Sequence, residues 1–167
     1  FTNQTSVNYT GLVNFTVSAD GNYTVNLTTI DQASNSNLTS FNINVDTVIP
    51  VSVINYINSN VSGAWVSNRN LLINITGDSN INNWNVSIYN STGASVASNQ
   101  TTSNYTDVVT LTVPEDGNYT VNLTAVDLAA NSNLSSFIVN VDTFMPFSGI
   151  NTINSRSDGG WIRVGVL

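Results

Sequence analysis

The chain contains no cysteine, no histidine and no lysine, and three arginines are its only basic side chains. Without cysteine there is no disulfide framework and no thiolate nucleophile. Without histidine there is no imidazole base and no nitrogen ligand for a metal. With three cations against ten acids, and a formal charge of −7, the chain lacks the basic footprint that nucleic acid requires. The same imbalance argues against adhesion to anionic lipid. Absent lysine also excludes Lys–Asn isopeptide crosslinks. No apolar run approaches the length of a membrane span, and no signal peptide is visible. Because the first residue is Phe1 rather than Met, the sequence is expected to be part of a longer, processed chain.

Charged residues of either sign are also scarce, at 8% against about 25% in ordinary soluble domains. Asparagine and hydroxyl groups take their place: 29 Asn and 41 Ser plus Thr in 167 residues. With 41% apolar residues there is still material for a packed core.

Self-comparison reveals a repeat. The stretch DGNYTVNLTTIDQASNSNLTSFNINVD, beginning at Asp20, returns as DGNYTVNLTAVDLAANSNLSSFIVNVD, beginning at Asp116, with 20 of 27 positions identical. At the same offset of 96, Tyr9 and Val17 recur as Tyr105 and Val113, and Pro50 and Trp65 recur as Pro146 and Trp161. The register divides the chain into a C-terminal part of one unit (1–48), a whole unit (51–143) and the start of a third (147–167). The terminal pieces lack the positions between them, so simple strand donation between neighbours does not complete a unit. The ends are read as limits of a longer array.

Within the central unit apolar residues alternate with period two, which is the signature of half-buried strands. Leu71, Ile73 and Ile75 share one face; Trp84, Val86 and Ile88 another; then Val109, Leu111 and Val113; then Tyr119, Val121, Leu123 and Ala125; then Phe137, Val139 and Val141. The intervening positions are mostly Asn, Ser and Thr. Adding 51–57 and a weak strand at 94–97 gives about seven antiparallel strands per unit, the size of one immunoglobulin-type sandwich. No segment has a helical period. The fold class is therefore all-β, as tandem immunoglobulin-like β-sandwiches.

Two features resemble the immunoglobulin superfamily. Glu115-Asp116-Gly117-Asn118-Tyr119 looks like a tyrosine corner, repeated at Tyr23, and Trp84 is similar to the buried core tryptophan. Val121 stands where antibody domains place cysteine, which sets those domains aside. The pattern around Tyr119, Asp127, Asn131, Phe137, Asp142 and Pro146 instead resembles the immunoglobulin-like repeats of large bacterial and archaeal surface proteins. That resemblance implies an extracellular, cell-surface location and a mechanical role: adhesin, S-layer, filament or stalk. Its partners would be other copies of itself, head to tail or side by side, or other surface molecules. An archaeal source is implied by resemblance only. The alternative is a carbohydrate- or protein-binding module of a secreted enzyme or viral fibre.

Fifteen Asn-x-Ser/Thr triplets occur, at Asn3, Asn8, Asn14, Asn22, Asn26, Asn37, Asn60, Asn74, Asn85, Asn90, Asn99, Asn104, Asn118, Asn122 and Asn133. Composition alone predicts about seven such acceptor triplets. A polar strand face of Asn and Thr makes them automatically, since i and i+2 point the same way. N-linked glycans would do what charge does elsewhere: solvate the sheets and block edge-to-edge pairing.

In an immunoglobulin sandwich Asp78 falls in the B–C loop and Asp127 opens the F–G loop, both at the domain's N-terminal end. The incoming Asp46 is expected beside them, and with Asn131 these oxygens suggest calcium at the joint, an ion that takes about six to eight oxygen ligands. The other reading is that these carboxylates cap turns. No cofactor is required. Glu115 is the only glutamate, and the acids recur once per repeat, so the segment is read as non-enzymatic. Trp65 and Trp161 are read as core or edge packing rather than sugar platforms.

Overall fold

The computed structural model describes residues 12–101, 106–150 and 161. Ten strands are present in this part of the chain: β1 (Gly21–Ile30), β2 (Ser36–Val45), β3 (Ser52–Ile57), β4 (Trp65–Val66), β5 (Asn70–Gly77), β6 (Ile81–Asn90), β7 (Ser95–Thr101), β8 (Thr106–Thr112), β9 (Gly117–Asp127) and β10 (Ser132–Val141). The described residues contain no helix.

Strands β3 to β10 form an immunoglobulin-like β-sandwich. One sheet has the order β4-β10-β9-β6-β7 and the other β3-β5-β8. Every pairing is antiparallel except β4 with β10, which is parallel. The alternating faces read from the sequence are those that meet between the sheets: Leu71, Ile73 and Ile75 of β5 pack opposite Val86, Ile88, Val121, Leu123, Phe137 and Val139. Each such side chain contributes about 1.5–3 kcal/mol by leaving water, and together they hold the layers about 10 Å apart.

Strict alternation in β3 would send Ile57 to the opposite face from Ile54. A register shift between Ile54 and Tyr56 leaves Asn55 as an extra residue, so both isoleucines reach the core. Asn55 turns outward and donates to Asn74 Oδ1 at 2.8 Å. The weak strand expected at 94–97 is β7, a full partner of β6. The two-residue β4 has no counterpart among the expected strands; its backbone closes the far edge of β10.

Two predicted hallmarks occupy their places. Trp84 is buried. Tyr119 is buried with its hydroxyl donating to the Glu115 carbonyl at 2.8 Å.

The preceding hairpin β1–β2 copies β9–β10 pair for pair: Val25 faces Phe41 as Val121 faces Phe137. Its environment is opposite. Leu123 and Phe137 are 1% and 5% exposed; their equivalents Leu27 and Phe41 are 62% and 67% exposed. No second sheet lies on that face among the described residues.

Candidate functional site

The repeated hairpin carries a set of side-chain bonds that recurs at the 96-residue offset. Asp20 accepts from the Thr47 amide and hydroxyl, as Asp116 does from Thr143. Asp46 caps the Val48 amide, as Asp142 caps Phe144. Tyr23 donates to Ala19, as Tyr119 does to Glu115. In the turn, Asp31 accepts from the amides of Ala33 and Asn35 and from the Asn35 side chain; Asp127 does the same with Ala129 and Asn131. Identical short-range chemistry thus reproduces one hairpin twice, whether or not a core lies beneath it.

The two copies meet the rest of the chain differently. Asn131 Nδ2 lies 2.9 Å from Asp127 Oδ2 and also donates to the Asp46 carbonyl at 3.0 Å, 85 positions away. A crevice at this point is lined by Asn22, Asn44, Val45 and Asp46 from the β1–β2 side and by Leu128 and Ala129 from the β9–β10 turn. Sequence reasoning had no way to see this clasp, because its acceptor is a backbone carbonyl. Arg69, the one basic residue among those described, pairs with Asp116 at 2.9 Å and donates to the Pro114 carbonyl. The amide of Thr143 does most to hold the Asp116 carboxyl below the usual range; burial, the next largest effect, opposes it, and Arg69 and the Thr143 hydroxyl lower it further.

The four residues considered for calcium are only partly gathered. Asp46, Asp127 and Asn131 converge, but Asp46 contributes its backbone oxygen while its carboxylate caps its own turn. Asp78 is committed to Val51, exchanging bonds in both directions at 2.7 and 3.0 Å, and the Asn80 amide also faces it. Among the described residues there is no group of three or more acidic, histidine or cysteine side chains able to hold a metal. Asp127 already accepts from three N–H donors, and Asn131 turns its NH₂ rather than its oxygen toward the joint. This donor set does not fit calcium. It is the chemistry of turn caps.

Of the sequons, Asn22, Asn26, Asn37, Asn74, Asn85, Asn99, Asn118, Asn122 and Asn133 lie within strands. Asn90 closes β6, Asn60 sits in the turn after β3, and Asn14 precedes β1. Asn3, Asn8 and Asn104 lie outside the described residues. The strand asparagines form polar rungs on the solvent side: Ser136 donates to Asn122 at 2.8 Å, Ser40 to Asn26 at 2.7 Å, and Asn118 to Asn140 at 2.7 Å. Trp65 lies on the edge strand β4 at 68% exposed and Trp161 is 93% exposed, so neither packs into a core among the described residues.

No family model matches the chain, and no curated protein matches it. Among solved structures it is similar to the fibronectin(III)-like modules of Clostridium thermocellum CbhA, at 20% identity over 57% of this chain and all of the other, with a TM-score of 0.41. It is also similar to CopC from Methylosinus trichosporium OB3b, at 17% identity over 59% of this chain and all of the other, with a TM-score of 0.44. The fold assignment rests on the strand order and core described above. No described helix is long and apolar enough to cross a membrane.

Proposed function

We propose that this chain is a segment of tandem immunoglobulin-like repeats from a long extracellular filament, S-layer or stalk protein, with a mechanical rather than catalytic role and N-linked glycans on its polar faces. The observation that carries this reading is the β1–β2 hairpin. It reproduces the closing hairpin of the sandwich in sequence, register and side-chain bonds, down to an apolar face built for a second sheet. A hairpin of this kind is the last piece of a preceding sandwich, joined to the next by Thr47–Pro50 and by the Asn131 clasp. Residues 147–167, which match the beginning of the central unit, then open a third.

Low charge supports the glycan part, since the solvent faces carry Asn, Ser and Thr where other proteins carry Lys and Glu. Asp20, Asp31, Asp46, Asp78, Asp116, Asp127 and Asp142 are spent on caps and straps, which suits a scaffold better than an active site. Exposed Trp65 favours a second reading, a carbohydrate- or protein-binding module.

Electron microscopy of the native parent protein tests the main proposal. A ten-residue strand is about 33 Å long, so a beaded thread repeating at about 4 nm is expected. A lone module beside a large catalytic body would overturn it in favour of the second reading.

A further inference from the structure

We propose that, among the described sequons of the sandwich β3–β10, Asn90 is the one that remains a competent glycan acceptor after the chain has folded, the strand sequons being accessible only before. The inference rests on the glycoprotein reading above and deepens it.

Asn90, Ser91, Thr92, Gly93 and Ala94 form the turn between β6 and β7. The Asn90 amide donates to the Ala94 carbonyl at 3.0 Å and Gly93 donates to the Asn90 carbonyl at 2.9 Å. Gly93 has φ +82°, the left-handed residue that closes a three-residue hairpin loop. Three donors converge on Asn90 Oδ1: the Thr92 amide at 3.1 Å, the Thr92 hydroxyl at 2.7 Å and the Ala94 amide at 2.9 Å. Those bonds fix which end of the carboxamide is oxygen. They leave Nδ2 of half-buried Asn90 donating to no described residue, and the residues that follow it, Ser91, Thr92 and Gly93, are exposed.

Here the sequon's own hydroxyl donates to the Oδ1 of its own asparagine, so Nδ2 is not engaged by it, and the local backbone is turned. The other bond within a described sequon runs the opposite way and occupies the nitrogen, Asn85 Nδ2 donating to Ser87 Oγ at 3.1 Å. Asn122 and Asn26 accept from a serine on the neighbouring strand, and Asn74 accepts from Asn55. Asn118, Asn85 and Asn60 spend Nδ2 on Asn140, Ser87 and the Asn58 carbonyl. Strand backbones are also locked in the sheet, so a transferase reaches those residues only through opening that approaches global unfolding. In the transfer itself Nδ2 attacks the anomeric carbon of a polyisoprenyl-phosphate-linked oligosaccharide. The new C–N bond replaces the sugar–phosphate bond, the lipid phosphate departs with the electron pair, and Nδ2 gives up one proton to the transferase.

The test uses the full chain purified unglycosylated, a labelled lipid-linked oligosaccharide, and an oligosaccharyltransferase selected because it modifies synthetic peptides spanning residues 86–96 and 118–126. Site-resolved mass spectrometry of the folded chain should find Asn90 modified about tenfold or more faster than Asn122, because strand opening costs at least that factor. Urea-unfolded chain should lose the preference. Asn90→Gln should abolish the folded-state adduct, and Thr92→Ser should retain it. Equal rates at Asn90 and Asn122 in the folded chain, or a folded Asn90 that is inert while its peptide reacts, would overturn the proposal. Absence of sugar from native material would instead remove the glycoprotein reading and leave this acceptor ranking standing.

Discussion

The side chain of Asn131 bonds the backbone carbonyl of Asp46 at 3.0 Å while its own turn residue, Asp127, holds the same nitrogen at 2.9 Å. One amide group therefore belongs both to the β9–β10 turn and to the linker that enters the sandwich. Replacing Asn131 with Ala should loosen that entry and cost the sandwich about 1–2 kcal/mol, since buried Asp127 and half-buried Asp46 each lose a donor. Urea melts report the second effect and small-angle scattering the first; an unaltered scattering profile would remove the clasp from the argument.

The two hairpins offer an internal control on burial. Leu123→Ala should cost about 2–5 kcal/mol, the usual range for a large-to-small core change. Leu27→Ala, at the same repeat position but 62% exposed in this chain, should stay within about 0.5 kcal/mol. If a preceding sheet is added by extending the chain, the cost at Leu27 should rise toward that at Leu123.

Three turns share one design: an Asx residue accepts the amides two and four positions ahead, and the fourth residue is left-handed. That fourth residue is Gly93 in one turn, Ala130 (φ +68°) in the second and Ser34 (φ +67°) in the third. A non-glycine residue pays about 1–2 kcal/mol there, and glycine returns part of the gain as unfolded-state entropy. Ala130→Gly should therefore stabilise the sandwich by about 0.5–1 kcal/mol. Gly93→Ala should destabilise it by a similar amount, read by thermal melting.

Acid sensitivity should run partly through Asp116. Its folded carboxyl titrates below the usual range, chiefly because the Thr143 amide bonds the charged form and Arg69 adds to it. A lowered folded value means that the stabilisation is complete above the ordinary carboxylate range and fades as pH falls through the folded value. Asp116→Asn should flatten that acid limb by lowering the neutral plateau toward the acid level. A pH series of denaturation midpoints checks it.

Chelation should leave the melting midpoint unchanged, because the residues at the joint present N–H donors where calcium would need oxygens. A drop on adding chelator, reversed by calcium, would require Asn131 to turn over and the clasp to be rebuilt around the ion.

Much of this was legible in the residues. The alternation of Leu71, Ile73 and Ile75, or of Val121, Leu123 and Ala125, names the buried face because strand side chains point alternately to opposite sides. The tyrosine corner was legible because Tyr119 bonds a carbonyl four residues back. The bulge at Asn55 was not, because alternation does not reveal where it slips. The carboxylate roles were legible only as a choice, with Asp46, Asp78 and Asp127 read either as turn caps or as ligands, and their neighbours' amides identify them as caps.

Local sequence thus determined the strands, the turns and even the geometry of a hairpin, since these depend on contacts within about thirty residues and recur wherever the sequence recurs. Tertiary structure alone decided that Leu123 is dry and Leu27 is wet, that Asn131 reaches Asp46, and that Asn90 differs from the other sequons. Burial and partner choice depend on what the rest of the chain brings alongside, and a short stretch of sequence carries no record of that.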